Sequence, residues 1–320
     1  MADRDPFEGD RAKHEEVVRP LVDGGVLDPV GDRDDDAQLW LDCELCSFVE
    51  NRFHHRLDPG TLGSDQREAW FSRALTTHER LMDPRRSRFS TAFWIGDRGA
   101  RAGTLALSNV TIGHRLLPVF SLYVFPAGRS SGLAYRTLRA VHQASTAAGF
   151  AGIRLATHWT WQAAVRRYLF RYGMWAWSFK RSIDFVWASH LPSYAVTLDD
   201  HAARFAVDHD GRSVELLTAS RDGEVLIWNE LAAMTSRELN GDVVFHARST
   251  FALALAVHGW PLLRAGDDLD EVAGYDIGGP DVLARKIAIF EHLDRRSGFD
   301  VRVPRIPGLP YEAIARELDD

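Results

Sequence analysis

The order of elements between residues 117 and 172 constrains this chain most. Residues 117–125, LPVFSLYVF, form an apolar run of strand character that ends in Pro126-Ala127-Gly128. Arg129-Ser130-Ser131-Gly132-Leu133-Ala134 follows, and a helical pattern then runs to residue 148. In that pattern Ala134, Leu138, Val141, Ser145 and Ala148 share one stripe, small enough for close packing on a sheet. Gly149 terminates it, and residues 153–156 make a second short strand. A second helix over 161–172 sets Val165, Tyr168, Leu169 and Tyr172 on one face and stops at Gly173. A strand, a crossover helix and a second strand in one sheet run parallel, with a right-handed crossover. The turn between the first strand and its helix gathers backbone N–H groups at a helix N-terminus, where an anion can be held.

The flanking sequence completes a sheet around this unit. Asp36 caps a helix with Leu41, Leu45, Phe48, Val49 and Phe53 at helical spacing, ending near Asp58-Pro59-Gly60. A second helix is predicted over 66–82. The period then changes to that of strands over 89–95 and 102–110, joined by Gly96-Asp97-Arg98-Gly99. With 117–125 these make an antiparallel meander that feeds the turn. Beyond the second helix, one strand is expected over 176–187 and a hairpin over 213–228. Helices are expected near 230–239, 250–258 and 280–296, and a strand at 299–303. The order glycine turn, helix, Gly298-Phe299, strand repeats that of Gly132 to Leu155, so the C-terminal part reads either as a generic extension or as a degenerate second copy. Residues 1–35 read as a polar, acidic, partly ordered arm. The domains are thus 1–35, 36–190 and 191–320.

Composition narrows the function classes. A net charge of -7 over 320 residues disfavours general nucleic-acid binding. The N-terminus lacks the layout of a signal peptide, and the apolar run at 251–257 is too short to cross a bilayer, so a cytoplasmic protein without membrane contact is expected. Two cysteines provide no disulfide framework. Cys43 and Cys46, with His54 and His55 downstream, have a spacing that zinc can use, but their apolar neighbours make core cysteines the better reading, and no metal is expected. The acidic stretch 267–271 reads as a solvated loop or helix cap.

Arg129-x-x-Gly132-x-Ala134, set between an apolar strand and a helix, resembles the acyl-coenzyme A signature (Arg/Gln-x-x-Gly-x-Gly/Ala) of the Gcn5-related N-acetyltransferase (GNAT) superfamily. Downstream, Gln162-Ala163-Ala164-Val165, Tyr168-Leu169 and Gly173-Met174 resemble that family's Asn-x-x-Ala, Leu-Tyr and Gly-Phe, with Gln162 where Asn is usual and Leu169 where Tyr is usual. The resemblance implies an α/β class chain with the acyl-CoA N-acyltransferase fold, a mixed central sheet with flanking helices, plus an α+β C-terminal extension. It lacks a family-type first strand before Asp36. The implied cofactor is acetyl-CoA or another acyl-CoA. Its pyrophosphate would lie on Arg129, Ser130, Ser131, Gly132, Leu133 and Ala134, and its pantetheine arm on the edge of Leu122, Tyr123 and Val124, with Gln162 beyond. Gly132 lets the backbone approach a phosphate, Ala134 keeps the helix start small, and Arg129 adds positive charge. Arg166, Arg167 and Arg171 either meet a 3′-phosphate or coat a helix. The implied reaction is N-acetylation of a small-molecule or peptide amine, with Tyr168 as the acid. No acidic residue lies between Ala100 and Asp184, so His158 is the first candidate base and His114 the second. Trp159 and Trp161 would narrow the acceptor pocket. Alternatives are transfer of a long acyl chain from acyl-CoA or acyl carrier protein, and a non-catalytic coenzyme A-binding or interaction module; a homodimer is also open.

Overall fold

The computed structural model describes residues 8–31, 33–53, 58–59, 62–65, 84–85, 87, 90–109, 116–157, 162–178, 183–222, 225–230 and 241–258. The chain divides into two units, Met1–Ala156 and Thr157–Asp320. None of the described helices is long and apolar enough to cross a membrane.

The first unit opens with helix α1 (Glu8–Asp23), within the segment that the sequence presents as an acidic arm. His14, Val17 and Leu21 recur at helical spacing and are buried, while Lys13, Glu15, Glu16 and Arg19 face outward. The helix ends in paired closing bonds, Val26 N–H to Leu21 O and Gly25 N–H to Val22 O, with Gly25 left-handed at φ +67°. This stop feeds strand β1 (Leu27–Pro29), which pairs antiparallel with β2. The expectation that no first strand precedes Asp36 is therefore corrected. Three residues ending in proline are too few to show a strand's alternation, and the pairing with β2 defines them.

Helix α2 (Asp34–Phe53) follows. Trp40, Leu41 and Cys43 pack with Ala92, Trp94 and Ala106 of the sheet, flanked by Phe120 and Phe125. The Trp40 indole N–H donates to Phe93 O at 3.0 Å. Strands β2 (Ser90–Asp97), β3 (Ala100–Ser108) and β4 (Leu116–Val124) form the expected antiparallel meander. Arg98 and Gly99 both have positive φ, the two-residue turn that suits the twist of a hairpin. Helix α3 (Leu133–Ala147) buries Leu133, Thr137, Leu138, Val141 and Ser145. Strand β5 (Gly152–Thr157) returns parallel to β4, so the strands of this unit lie in the order β1-β2-β3-β4-β5.

The second unit begins with helix α4 (Gln162–Arg166), which widens into a π turn over Arg167–Arg171. The single strand expected over 176–187 is instead an antiparallel pair, β6 (Trp175–Ser178) and β7 (Ile183–Ala188). Strands β8 (Tyr194–Leu198), β9 (Ala202–His209), β10 (Arg212–Asp222) and β11 (Val225–Glu230) form an antiparallel sheet in the order β11-β10-β9-β8. The expected hairpin is present as β10–β11, paired to Asp222↔Val225. Helix α5 (Gly241–Val257) starts earlier than its predicted range. Its Thr250 hydroxyl accepts the Ala176 N–H at 2.9 Å, so the helix closes a backbone donor of β6. The helices expected over 66–82, 230–239 and 280–296, and the strand at 299–303, lie outside the described residues or nearly so.

Candidate functional site

Strand β4 opens a gap beside β5, and one extra residue accounts for it. The β3–β4 register holds from Gly103↔Val124 to Ala106↔Ser121, then shifts to Leu107↔Val119, leaving Phe120 as a bulge. On its other side β4 pairs with β5 from Leu116↔Gly152 to Val119↔Leu155 and no further. The parallel ladder thus stops where the bulge begins. A bulge bends its strand and sharpens the local twist, which carries the rest of β4 away from β5.

Phe125 N–H donates to Ala102 O at 2.9 Å. Alternation along an antiparallel strand then turns the backbone groups of Tyr123 toward β3 and those of Leu122 and Val124 into the gap. Gly103 makes the β3–β4 approach close. A Cβ there would sit 2.2 Å from Tyr123 O.

The turn past β4 begins with a single 3-10 turn, Pro126–Gly128. Gly128 N–H donates to Phe125 O and Arg129 N–H to Pro126 O. Ser130 (φ +65°) and Gly132 (φ +79°) are both left-handed. Ser131 between them has a negative φ, and a change of handedness from residue to residue can gather successive N–H groups into a concavity suited to anions. From Ser130 to Ala134 no backbone N–H finds an acceptor among the described residues; the first helical bond is Arg136 N–H to Gly132 O. The nearest heavy atom to a Cβ at Gly132 would be Arg136 Nη1 at 3.6 Å, an ordinary contact. What glycine supplies here is its positive φ.

Arg129 does not face this concavity. Its two terminal nitrogens bind the Glu50 carboxylate on α2, one of them at 2.6 Å, and Nε donates to Val124 O at 2.9 Å. The Tyr123 ring lies 5.3 Å from the guanidinium, and its hydroxyl donates to Glu50 at 3.2 Å. The side chains of Arg129 and Glu50 are 22% and 14% exposed, so this is a largely enclosed pair. Hydrogen bonding to Glu50 raises the Arg129 pKa above its usual value. Burial first, and then the Glu50 charge, raise that of the Tyr123 phenol. Both groups hold their protons. Sequence reasoning did not find Glu50, which lies 79 positions from its partner.

The carboxylates of α2 repeat this pattern across the sheet. Asp36 accepts from Trp94 Nε1 at 3.2 Å and from Arg101, and Glu44 accepts from the Thr104 hydroxyl at 2.5 Å. They anchor α2 along β2 and β3 as Glu50 anchors it at the end of β4.

Of the other sequence-derived candidates, Gln162 starts α4 in the second unit. Tyr168 lies in the π turn, 9% exposed, with its ring 5.2 Å from that of Phe185 and 5.7 Å from that of Tyr172. Burial raises its phenol pKa, so it is protonated throughout the neutral range. His114, His158, Trp159 and Trp161 lie outside the described residues. Cys43 and Cys46 are buried and unpaired, and burial pushes the Cys46 thiol up to about 12. No group of metal-ligating side chains occurs among the described residues. A groove of about 470 Å³ beside α1, lined by His14, Val18, Arg19, Thr91 and Asn109, lies at the far end of β3 from the turn.

No family model matches the chain, and no curated protein matches it. Among solved structures, it is similar to nourseothricin acetyltransferase (18% identity, TM-score 0.28), over 32% of this chain and 66% of that one, just under two thirds of its length. It is similar to the PaiA N-acetyltransferase of Thermoplasma acidophilum in complex with coenzyme A (11% identity, TM-score 0.33), over 48% of this chain and 93% of that one. It is also similar to a GNAT-family acetyltransferase of Staphylococcus aureus Mu50 (13% identity, TM-score 0.32), over 51% of this chain and 98% of that one. At such identities and scores, the fold rests on the chain's own strand order and turn. The order β1-β2-β3-β4-β5 with its one parallel step, and the helices that flank it, accord with the mixed sheet and flanking helices expected of the acyl-CoA N-acyltransferase fold.

Proposed function

We propose that the first unit binds an acyl-CoA and that the chain transfers its acyl group to an amine of a small molecule or peptide. One observation carries this reading: pairing with β5 ends at Val119, beside the bulge, and leaves a strand edge that leads to a concavity of open N–H groups. An acyl-CoA has matching parts. The N–H groups from Ser130 to Ala134 suit the pyrophosphate. The Leu122 N–H and C=O and the Val124 N–H suit the amides of a pantetheine arm, while Arg129 already takes the Val124 C=O. Bound there, the thioester supplies an activated acyl group. A strand N–H facing the gap can polarise its carbonyl.

Attack requires a neutral amine, and His158 is the proposed base. Tyr168, protonated at neutral pH, is the proposed acid for the leaving thiolate. Calorimetric titration with acetyl-CoA tests the binding half. Saturable heat that Gly132→Glu abolishes is the expected result, and no heat from the unaltered protein would sink the reading.

A second reading, binding of coenzyme A without turnover, draws support from the enclosure of Tyr168, which is only 9% exposed. Thiol release across a panel of amines and acyl-chain lengths separates the two. Release with any amine, lost in His158→Ala, favours catalysis. The chain-length optimum distinguishes acetyl from long-chain transfer.

A further inference from the structure

The turn has a second arginine, placed where the first is not. Arg136 lies on α3, four residues past Gly132, and its Nη1 donates to Ser131 O at 2.7 Å. That bond fixes the guanidinium over the turn, and Nη1 is the heavy atom a Cβ at Gly132 would meet first. The other terminal nitrogen, Nη2, reaches Asp97 of the β2–β3 hairpin at 3.4 Å, the limit of hydrogen bonding. The Arg136 side chain is 54% exposed and that of Asp97 33%.

The contrast with Arg129 is chemical. Arg129 has a two-pronged carboxylate, a carbonyl and an aromatic ring around it. Arg136 has one short bond to a neutral carbonyl and one long contact to a half-buried carboxylate. A phosphate offers a guanidinium shorter, stronger bonds than a carboxylate at that distance.

We propose that Arg136, and not Arg129, is the cation that meets the phosphate groups of the bound cofactor, with Asp97 as the exchangeable partner it leaves. The assignment rests on the acyl-CoA reading of the turn. Nη1 keeps its bond to Ser131 O and so holds the shape of the concavity. Nη2 turns from Asp97 to the incoming phosphate.

The test is a set of titrations with coenzyme A, 3′-dephospho-coenzyme A and pantetheine. The Arg136→Gln protein should bind the phosphate-bearing ligands about tenfold more weakly and pantetheine unchanged. A loss shared by coenzyme A and its dephospho form assigns Arg136 to the pyrophosphate. A loss with coenzyme A alone assigns it to the 3′-phosphate. Asp97→Asn, which frees Arg136, should tighten coenzyme A binding and leave pantetheine binding alone, an effect that a purely structural arginine would not produce. This variant also keeps the test open should Arg136→Gln fold poorly.

An Arg136→Gln protein within twofold of wild type for all three ligands would overturn the assignment alone, as would an equal loss with pantetheine. A wild-type protein that binds none of the three would overturn the acyl-CoA reading itself, and the assignment with it.

Discussion

The turn between β4 and α3 and the segment from Gln162 to Gly173 are built from opposite materials. The turn is a backbone device: Ser130 and Gly132 are left-handed, five N–H groups are open, and the nearby side chains of Arg129 and Glu50 bind each other. The later segment is a side-chain device, in which Tyr168 lies enclosed against Phe185 and Tyr172. Backbone geometry follows from a few special residues, so the turn's shape is set mainly by its own sequence, with Arg136 bracing it at Ser131 O. A side chain's chemistry depends on every group packed around it. The turn proposed for the cofactor is accordingly better defined than the residues proposed for the reaction.

The largest effect should come from attacking the backbone device where strands approach most closely. Gly103→Ala places a Cβ 2.2 Å from Tyr123 O. It should cost about 3 kcal/mol or more, because only a backbone shift relieves the clash. Thermal melting would show this, with coenzyme A affinity falling in whatever protein stays folded. A melting temperature equal to wild type would mean that the β3–β4 approach is looser than described.

The next effect is on pH dependence. Burial lowers the His14 pKa from 6.5 to about 4. The folded state therefore binds fewer protons than the unfolded state between those values. The stability concerned is fully present above pH 6.5 and is lost progressively as pH falls toward 4, up to about 3 kcal/mol in all. Urea titrations at pH 7 and pH 5 should show that slope, and it should flatten in His14→Phe. A buried side chain, and not the turn, then contributes to the acid limit of the first unit.

A smaller loss is expected for Glu50→Gln, which leaves the enclosed Arg129 guanidinium without a counter-charge. The cost is about 2 kcal/mol, discounted for the partial exposure of the pair. It should appear as a lower melting temperature and a higher KM for acyl-CoA with kcat little changed. A fall in kcat at constant KM would instead give Glu50 a direct part in the chemistry. The smallest stability effect belongs to Tyr168→Phe, within about 0.5 kcal/mol, since packing and not the hydroxyl holds the ring. Its informative readout is turnover, and unchanged turnover would remove Tyr168 as the acid.

Much of the first unit was legible in the sequence. The strand run ending in Pro126, the glycine at position 132 and the helix stripe through Leu138 and Val141 are local signals of local structure. Segments with weak or masked local signals were not. Among the residues of α1 whose side chains are described, His14, Val17 and Leu21 lie in the core, within an acidic stretch that reads as solvated. β1 is three residues long and exists through its pairing with β2. β6 and β7 read as one apolar strand because the residues between them include no glycine or proline. At the site, Arg129 could be placed by its motif, but its partner on α2 could not, because long-range pairing leaves no mark in spacing. Arg136 did leave one. An arginine four residues past the glycine of such a turn sits one helical turn above it.

Hydrogen exchange of the backbone amides, with and without acetyl-CoA, tests the central claim most directly. The account predicts slowed exchange at Leu122, Val124 and Ser130 through Ala134, with Tyr123 unchanged because its N–H already faces β3. Exchange that is identical with and without acetyl-CoA at these positions, or slowed only elsewhere in the chain, would contradict it.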